Sequence, residues 1–198
     1  MIKIFIEAGK PSTSEYVFIK TLVTRILDID SGKFKIECVD GKDNLDKAAN
    51  IFKTNSEEGG INLIVFDADF PANKGGFKVR QEFLQQRMAE LGIEAELFLF
   101  PNHNDDGDFE YLLEQLTQSE RHKLFFDCFG DYETCLGSNY LTPNRKGKLH
   151  TYISAMPMSK TKRDKLGQGE WQFENTDYWD LNKPYLDPLK EFFLHWIK

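Results

Sequence analysis

The sequence predicts an α/β fold in three layers, with a mainly parallel sheet of about four strands between two layers of helices. Two observations lead to this prediction. Segments rich in β-branched and aromatic residues alternate with segments of about 10 to 15 residues that have helical periodicity. One candidate strand is apolar throughout, which is typical of a parallel strand buried on both faces. With right-handed crossovers between the strands, the architecture is Rossmann-like.

The four candidate strands leave room for a helix between each pair. The first consists of β-branched and aromatic residues after a lysine, and the second alternates polar and apolar residues. The third is the uninterrupted apolar run, and the fourth stops at Pro101, which cannot extend a sheet ladder. In chain order, the predicted strands span residues 3–6, 33–39, 62–66 and 94–100.

The helices between these strands have recognisable ends. Serine and threonine side chains that can serve as caps precede the first helix, residues 16–27, in which apolar residues recur at helical spacing. The second helix, residues 43–52, is more polar. The third, residues 77–91, ends before Gly92, a residue suited to the end of a helix.

After Gly107 the predicted helices follow one another without intervening strands. They span residues 108–116, 119–129, 149–156 and 188–197. We therefore predict two parts, a core of residues 1–118 and a helical and irregular C-terminal extension, residues 119–198, packed on it. Aromatic residues make up 14% of the chain, and we expect those near its end to pack the extension against the sheet.

The composition argues against several classes of protein. The net charge is −7, and a total of that sign does not by itself indicate a nucleic-acid binder. Cys38, Cys128 and Cys135 form no CxxC pair, so a disulfide framework and a zinc ribbon are not expected, and we predict free, mostly buried thiols. No apolar segment approaches the roughly 20 residues that cross a bilayer. We expect a cytoplasmic protein that does not bind membranes.

Acidic residues follow the predicted strands at the ends where open parallel sheets bind ligands. Glu7 follows the first strand, and Asp67 and Asp69 follow the third. On an extended backbone, both aspartates point to the same side. Carboxylates packed together repel one another unless a cation lies between them, and hard oxygen ligands suit Mg²⁺ or Mn²⁺ better than Zn²⁺. The sequence thus predicts a divalent metal site, provided that the first and third strands are neighbours.

A second acidic segment, residues 105–110, follows the fourth strand and allows two interpretations. It can form a turn that caps the next helix. Alternatively, Glu110, helped by Asp106 or Asp108, is a further metal ligand or orients a water, and His103 in the same loop could approach the metal. The spacing of an EF-hand is absent, so we do not expect a calcium sensor.

The residues at the strand ends resemble the TOPRIM domain of topoisomerases, primases and OLD-type nucleases. Glu7 lies in an E-x-G turn after the first strand, and Asp67 and Asp69 form a DxD motif after a later one. The resemblance implies that Glu7 binds metal or acts as a general acid or base, and that the DxD motif holds Mg²⁺. The acidic residue that many TOPRIM proteins place soon after the glycine is missing. An ATPase domain, a primase zinc module and a convincing tyrosine nucleophile are also missing, so topoisomerase activity is not expected.

A narrower resemblance, to a bacterial TOPRIM-related family of unknown function, extends over most of the chain. The matching features are Pro101-Asn102, residues 107–110, Lys148, Trp171, Trp179 and Pro188. OLD-type nucleases use a lysine near their metal ions, which implies this role for Lys148 or Lys146. The basic residues between 145 and 165 can contact a phosphate backbone, or they can form a solvated loop.

These observations favour a Mg²⁺-dependent phosphoryl-transfer enzyme, a small nuclease acting on DNA or RNA. Glu7, Asp67, Asp69 and Glu110 are the predicted ligands of one or two metal ions, and Lys148 is predicted to stabilise the developing charge. The alternative is a catalytically silent TOPRIM-like module that binds a partner protein or a nucleotide, which the negative net charge favours. A Rossmann nucleotide binder is a weaker hypothesis because no GxGxxG follows the first strand.

Overall fold

The computed structural model describes residues 1–197 and contains a sheet of four parallel strands in the order β2-β1-β3-β4. The strands are β1 (Ile2–Ile6), β2 (Phe34–Cys38), β3 (Ile61–Asp67) and β4 (Glu96–Phe100). Strand β1 lies between β2 and β3, with Ile4 opposite Ile36 on one side and Leu63 on the other. The predicted α/β class and parallel sheet are confirmed, and the first and third strands are neighbours, which was the condition for the predicted metal site.

Eight α-helices of the described chain follow or separate these strands. They are α1 (Ser14–Thr21), α2 (Leu45–Glu57), α3 (Phe77–Leu91), α4 (Phe109–Leu116), α5 (Lys123–Leu136), α6 (Arg145–Ala155), α7 (Lys160–Asp164) and α8 (Asp187–Trp196). Helix α1 continues into a wider, π-helical turn at Leu22–Ile26. The prediction for α3 is confirmed at both ends. The predictions for α5 and α6 were wrong at their ends, and α7 was not predicted.

Helix α6 begins earlier than its apolar pattern indicated. The side chain of Asn144 accepts a hydrogen bond from the backbone N–H of Gly147 at 3.0 Å, which caps the helix one residue before Arg145. Arg145, Lys146 and Lys148 therefore lie on the first turn and a half of a helix and not in a loop. This position turns the basic residues toward the acids of α4.

The two faces of the sheet are covered by different parts of the chain, because side chains alternate along each strand. Phe5, Ile64 and Leu99 pack against α2 and α3, where Phe52 stacks on Phe5. The opposite face packs against α1, α4 and the C-terminal extension. Helices on both sides of the sheet complete the three-layer fold.

The extension packs closely on the second face of the sheet. Trp171, Phe173 and Trp179 are buried there in one cluster with the residues of β1 and β3. The hydroxyl of Tyr152 donates a hydrogen bond of 2.7 Å to the carbonyl of Tyr178, which also ties α6 to this segment. The predicted packing role of the aromatic residues is confirmed. The boundary after residue 118 stays a prediction, and Lys198 lies outside the described residues.

The three cysteines are free, but the prediction that most are buried was wrong. Cys38 is partly buried, whereas Cys128 and Cys135 are exposed on α5. Helix α5 buries only Phe129 among its described residues, so most of its surface faces solvent. Among residues 1–197, no helix combines the length and the apolar composition needed to cross a membrane.

Candidate functional site

The carboxyl ends of β1 and β3 bring Glu7 and Asp67 together. Ile6, the last residue of β1, pairs with Val65, and Asp67 ends β3 two residues later, so Glu7 and Asp67 lie at the same end of the sheet. The backbone N–H of Asp67 donates a hydrogen bond of 3.2 Å to Oε1 of Glu7. Two of the four predicted ligands therefore lie in direct contact.

A third carboxyl group joins them from α1. Thr13 caps this helix, and Glu15 occupies its first turn. Oε1 of Glu15 accepts a hydrogen bond of 3.2 Å from the backbone N–H of Glu7. Sequence reasoning missed Glu15, because a glutamate in the first turn of a helix is ordinary and complements the helix dipole. We refer to Glu7, Glu15 and Asp67 as the carboxyl cluster.

Burial of the carboxyl cluster raises the pKa of each of its members. Loss of hydration raises the pKa of Glu7 to about 6, and the nearby charge of Asp69 adds to the effect. Burial and the charge of Glu7 raise the pKa of Glu15 to about 8. Burial, followed by the charges of Glu7, Glu15 and Glu110, holds the pKa of Asp67 well above its ordinary value. Each carboxyl group of the cluster therefore keeps its proton at pH values at which an isolated carboxyl group has already released it.

Asp69 departs from the predicted extended path. Its φ of 61° is left-handed, so its carboxylate does not follow that of Asp67, and the expectation of two aligned aspartates was wrong. The turn is fixed by a hydrogen bond of 3.0 Å from the N–H of Gly107 to the carbonyl of Asp69. It also requires Gly75, because a Cβ at that position would lie 2.3 Å from the Cβ of Asp69. The carboxylate of Asp69 instead forms an ion pair with Arg80.

Glu110 lies at the same end of the sheet, on the first turn of α4. The backbone N–H of its neighbour Phe109 donates a hydrogen bond of 2.8 Å to Oδ1 of Asp67. Oε1 of Glu110 is 2.9 Å from Nζ of Lys146. Burial lowers the pKa of Lys146, but the hydrogen bond and charge of Glu110, with those of more distant acids, outweigh it and raise that pKa.

Lys148, the predicted charge-stabilising residue, lies elsewhere. Its Nζ is 3.1 Å from Oε1 of Glu114 and faces the rings of Phe126 and Phe129. The structure does not bring Lys148 to the carboxyl cluster. Lys146, the second candidate from the resemblance, is the lysine that contacts a predicted ligand.

Two aspartates of the loop after β4, Asp106 and Asp108, act as caps. Oδ1 of Asp106 accepts a hydrogen bond of 2.7 Å from the N–H of Phe77 at the start of α3. Oδ1 of Asp108 accepts one of 2.7 Å from Tyr111 in α4. The turn-and-cap interpretation is confirmed for these two residues.

His103 is part of the packing of the same loop. Its Nδ1 accepts a hydrogen bond of 3.0 Å from the N–H of Leu99, and its ring stacks on Phe98. The ring also meets Phe77 edge to face. Burial lowers the pKa of His103, which favours the neutral ring that can accept this bond. These contacts give the imidazole a structural role.

The carboxylate oxygens at this end of the sheet are donors of the type that hard divalent cations prefer, but they are not gathered around one point. No three aspartate, glutamate, histidine or cysteine side chains of residues 1–197 converge as a set that could hold a metal ion. The members of the carboxyl cluster offer oxygen donors whose like charges oppose one another. Asp69 and Glu110 are held by Arg80 and Lys146. A shift of these two side chains would add two more oxygen donors.

A cleft of about 490 Å³ opens beside Lys146. It lies between the loop before α1, the first turns of α6 and the segment around Trp171. Besides Lys146, its polar side chains include those of Ser12, Asn144 and His150. The lysine that contacts Glu110 thus also borders a space open to solutes.

Comparisons with family models, with curated proteins and with solved structures gave no match to this chain.

Proposed function

We propose that the chain is a metal-dependent phosphoryl-transfer enzyme, a small nuclease of TOPRIM type acting on DNA or RNA. The observation that carries the proposal is the carboxyl cluster at the carboxyl ends of β1 and β3. Burial and mutual repulsion raise the pKa of its members, so each would gain from a nearby cation. Sites with perturbed carboxyl groups at this edge of a parallel sheet are candidates for catalysis.

Each residue of the site has a role in this proposal. Glu7 and Asp67 supply the first oxygen ligands, and Asp69 and Glu110 supply others after they leave Arg80 and Lys146. Glu15 contacts Glu7 from α1 and, with its raised pKa, holds a proton beside it. Lys146 then replaces Lys148 as the cation next to the substrate phosphate.

Glu7 and Asp67 would hold Mg²⁺ or Mn²⁺, which would polarise the phosphate and lower the pKa of an attacking water. Lys146 contacts Glu110 and also lines the cleft. Its ammonium group can therefore stabilise the negative charge of a phosphate bound beside it. Because the chain carries a net charge of −7, substrate must approach through such local cations or through a partner. We also propose a cytoplasmic location, which the free cysteines support.

Calorimetric titration of Mn²⁺ and Mg²⁺ into the full chain tests the metal site. We expect wild type to bind Mn²⁺, and Glu7→Gln and Asp67→Asn to lose at least about tenfold in affinity, because each removes a charged ligand. Asp105→Asn is the matched control, since the carboxylate of Asp105 accepts hydrogen bonds from Asn102, Asn104 and Tyr185 and is not a predicted ligand. Absence of binding to folded wild type, or equal loss in the control, would contradict the metal site.

Hydrolysis of labelled single-stranded and double-stranded DNA and RNA with Mn²⁺ tests the reaction. Activity that Asp67→Asn abolishes and Asp105→Asn retains supports the nuclease. Metal binding without cleavage of any of these polymers would contradict it, and would favour the second candidate below.

The second candidate is a catalytically silent module that binds a partner protein or a nucleotide. The observation that favours it is that Asp69 and Glu110 already have cationic partners within the chain. In this case the ion pairs are permanent and the acids stabilise the fold. Equilibrium dialysis with ATP and GTP, with and without Mn²⁺, distinguishes a nucleotide-binding module from a nuclease.

A further inference from the structure

The cleft beside Lys146 lies where the amino-terminal ends of two helices meet. Thr13 caps α1, Asn144 caps α6, and both residues line the cleft. The first N–H groups of a helix have no acceptor within the helix, and the helix dipole favours an anion beside them. Among residues 1–197, the backbone N–H groups of Ser14 and Lys146, which also line the cleft, donate no hydrogen bond. Two helices thus leave donors at one cleft.

The hydroxyl of Ser14 is an unused hydrogen-bonding group in the wall of this cleft. Ser14 is only 5% exposed, and it lines the cleft. Its hydroxyl makes no hydrogen bond within the described part of the chain, whereas the hydroxyl of the neighbouring Thr13 caps α1. A polar group that is buried to this extent normally has a partner. The open side of Ser14 therefore points to an occupant of the cleft.

The charge of the cleft is positive, although the chain carries a net charge of −7. None of the described side chains that line it is acidic. Lys146 supplies a cation, and its contact with one oxygen of Glu110 leaves further donors, because an ammonium group has three N–H bonds. His150 contributes ring nitrogens to the same cleft. This combination of donors suits an anion.

The size of the cleft indicates an organic anion. Its volume of about 490 Å³ lies in the range of binding sites for small organic molecules. Leu166 and Trp171 form an apolar part of its wall. Beside them, a Cβ at Gly167 would meet nothing within 4 Å, so the space next to this backbone is open. An apolar or aromatic group could lie there while an anionic group contacts the helix ends.

We propose that this cleft binds the phosphate monoester of a nucleotide. The ends of α1 and α6, Ser14 and Lys146 hold the phosphate oxygens, which accept hydrogen bonds from all of these donors. The wall beside Leu166 contacts the nucleoside. The nucleotide is free in solution or forms the 5′ end of a nucleic-acid strand. The choice of a nucleoside rests on the proposed function, whereas phosphate binding does not, because no metal ion takes part.

Titrations of the full chain in EDTA test the site without a metal ion. The probes are 5′-AMP, adenosine, and one short DNA strand prepared with a 5′ phosphate and with a 5′ hydroxyl. We expect the backbone N–H signals of Ser14 and Lys146 to shift in NMR spectra of wild type when 5′-AMP is added. The signal of Arg87, at an exposed position on α3, should stay unchanged. The affinity for 5′-AMP should exceed that for adenosine at least about tenfold.

Gly167 allows a matched pair of variants, because the space beside it can take a side chain. Gly167→Asp places a carboxylate at the wall of the cleft, and Gly167→Asn places a neutral amide of the same size there. We expect Gly167→Asp to bind 5′-AMP at least about tenfold more weakly than Gly167→Asn. Lys146→Met should also weaken binding by about tenfold. Lys148→Met is its control, since Lys148 contacts Glu114 and does not line the cleft.

Binding of 5′-AMP that requires its phosphate and that Gly167→Asp weakens would support the proposal. Preference for the DNA strand with a 5′ phosphate would identify a strand end as the source, and binding of 5′-AMP alone would identify a free nucleotide. Three results would each overturn the proposal: an unshifted Ser14 signal in folded wild type at about 10 mM 5′-AMP, equal affinity for adenosine, or equal affinities of the two Gly167 variants.

The same titrations keep this inference separate from the proposed nuclease. If 5′-AMP binds in EDTA but wild type binds no Mn²⁺, the phosphate site stands and the metal-dependent enzyme is contradicted. If Mn²⁺ supports cleavage but no phosphorylated probe binds in EDTA, the nuclease stands and the phosphate site is overturned.

Discussion

Glu15 accepts a hydrogen bond of 3.2 Å from the backbone N–H of Glu7, so a carboxyl group of α1 lies against the end of β1. Burial and the charge of Glu7 raise its pKa to about 8, from 4.5 for an unperturbed glutamate. Between pH 4.5 and about 8, Glu15 therefore holds a proton more readily in the folded chain than in the unfolded chain. The contribution of Glu15 to stability is fully present below about pH 4.5 and is lost as the pH rises through about 8.

Glu15→Gln is expected to remove this loss of stability at alkaline pH. Glutamine keeps the oxygen that accepts the Glu7 hydrogen bond and cannot ionise. Each unit of pKa corresponds to about 1.4 kcal/mol, so the variant should exceed wild type in free energy of unfolding by more than about 1 kcal/mol at pH 9. Urea unfolding at several pH values measures it. Glu174→Gln, at an exposed residue, is the control, and parallel pH profiles for wild type and Glu15→Gln would contradict the prediction.

His103 is expected to have the opposite pH dependence. Burial lowers its pKa below the ordinary 6.5, so the unfolded chain binds the proton more readily. Its contribution to stability is present above about pH 6.5 and is lost as the pH falls through the lower folded value. His103→Gln should be less stable than wild type at neutral pH by about 1 kcal/mol, because the stacked ring is lost, and should lose less stability on acidification. Thermal unfolding at several pH values checks this prediction, with His195→Gln as the control because His195 is exposed. If the two variants lose equal stability on acidification, the prediction is contradicted.

Lys146 and Lys148 are expected to behave differently, although only Gly147 lies between them. Under the proposed function, Lys146→Met should bind Mn²⁺ a few-fold more tightly, because a cation next to Glu110 is removed, and should cleave phosphodiesters at least about tenfold more slowly. Lys148→Met should leave both properties near wild type and lower stability by about 1 kcal/mol, since Glu114 and the adjacent rings lose a contact. Titration and single-turnover cleavage measure these effects. A larger loss of cleavage in Lys148→Met would reverse the assignment.

Gly169, in the C-terminal extension, packs closely against the residues at the start of α1. Its φ is 80°, and a Cβ there would lie 2.2 Å from the carbonyl carbon of Thr13. Gly169→Ala is therefore expected to lower the free energy of unfolding by about 2 kcal/mol or more, through backbone strain and the clash. Gly167→Ala is the matched control, because a Cβ at that position meets nothing within 4 Å. Urea unfolding compares the two variants. Equal free energies of unfolding would contradict the prediction, because they would show that the segment around Gly169 can move aside without loss of stability.

The strands and the first helices could be predicted from sequence because their signals are local. An uninterrupted apolar run identified β3, and Gly92 marked the end of α3. The start of α6 was missed because its first turn carries basic residues in place of an apolar pattern, although Asn144 is a good cap. The prediction followed the spacing of the apolar residues, whereas the helix begins directly after its cap, Asn144.

The candidate site could be predicted only in part, for a related reason. Glu7 and Asp67 follow strands, so the topology of the sheet placed them at one edge. The roles of Glu15 and Arg80 depend on burial and on charges contributed by other elements, which no local pattern records. The turn at Asp69 depends on the close approach of Gly75, six residues later, which spacing along a strand could not indicate.

The acids of the site and the lysine that offsets them belong to different parts of the chain. Glu110 lies in α4, whereas Lys146 lies in α6 of the extension. During synthesis the amino-terminal part leaves the ribosome first, so the acids of the site are made before the lysine that pairs with Glu110. Packing of α6 onto the sheet then brings Lys146 next to acidic groups that repel one another. Completion of the fold is thus expected to be driven by charge as well as by apolar burial, and to slow as salt is added.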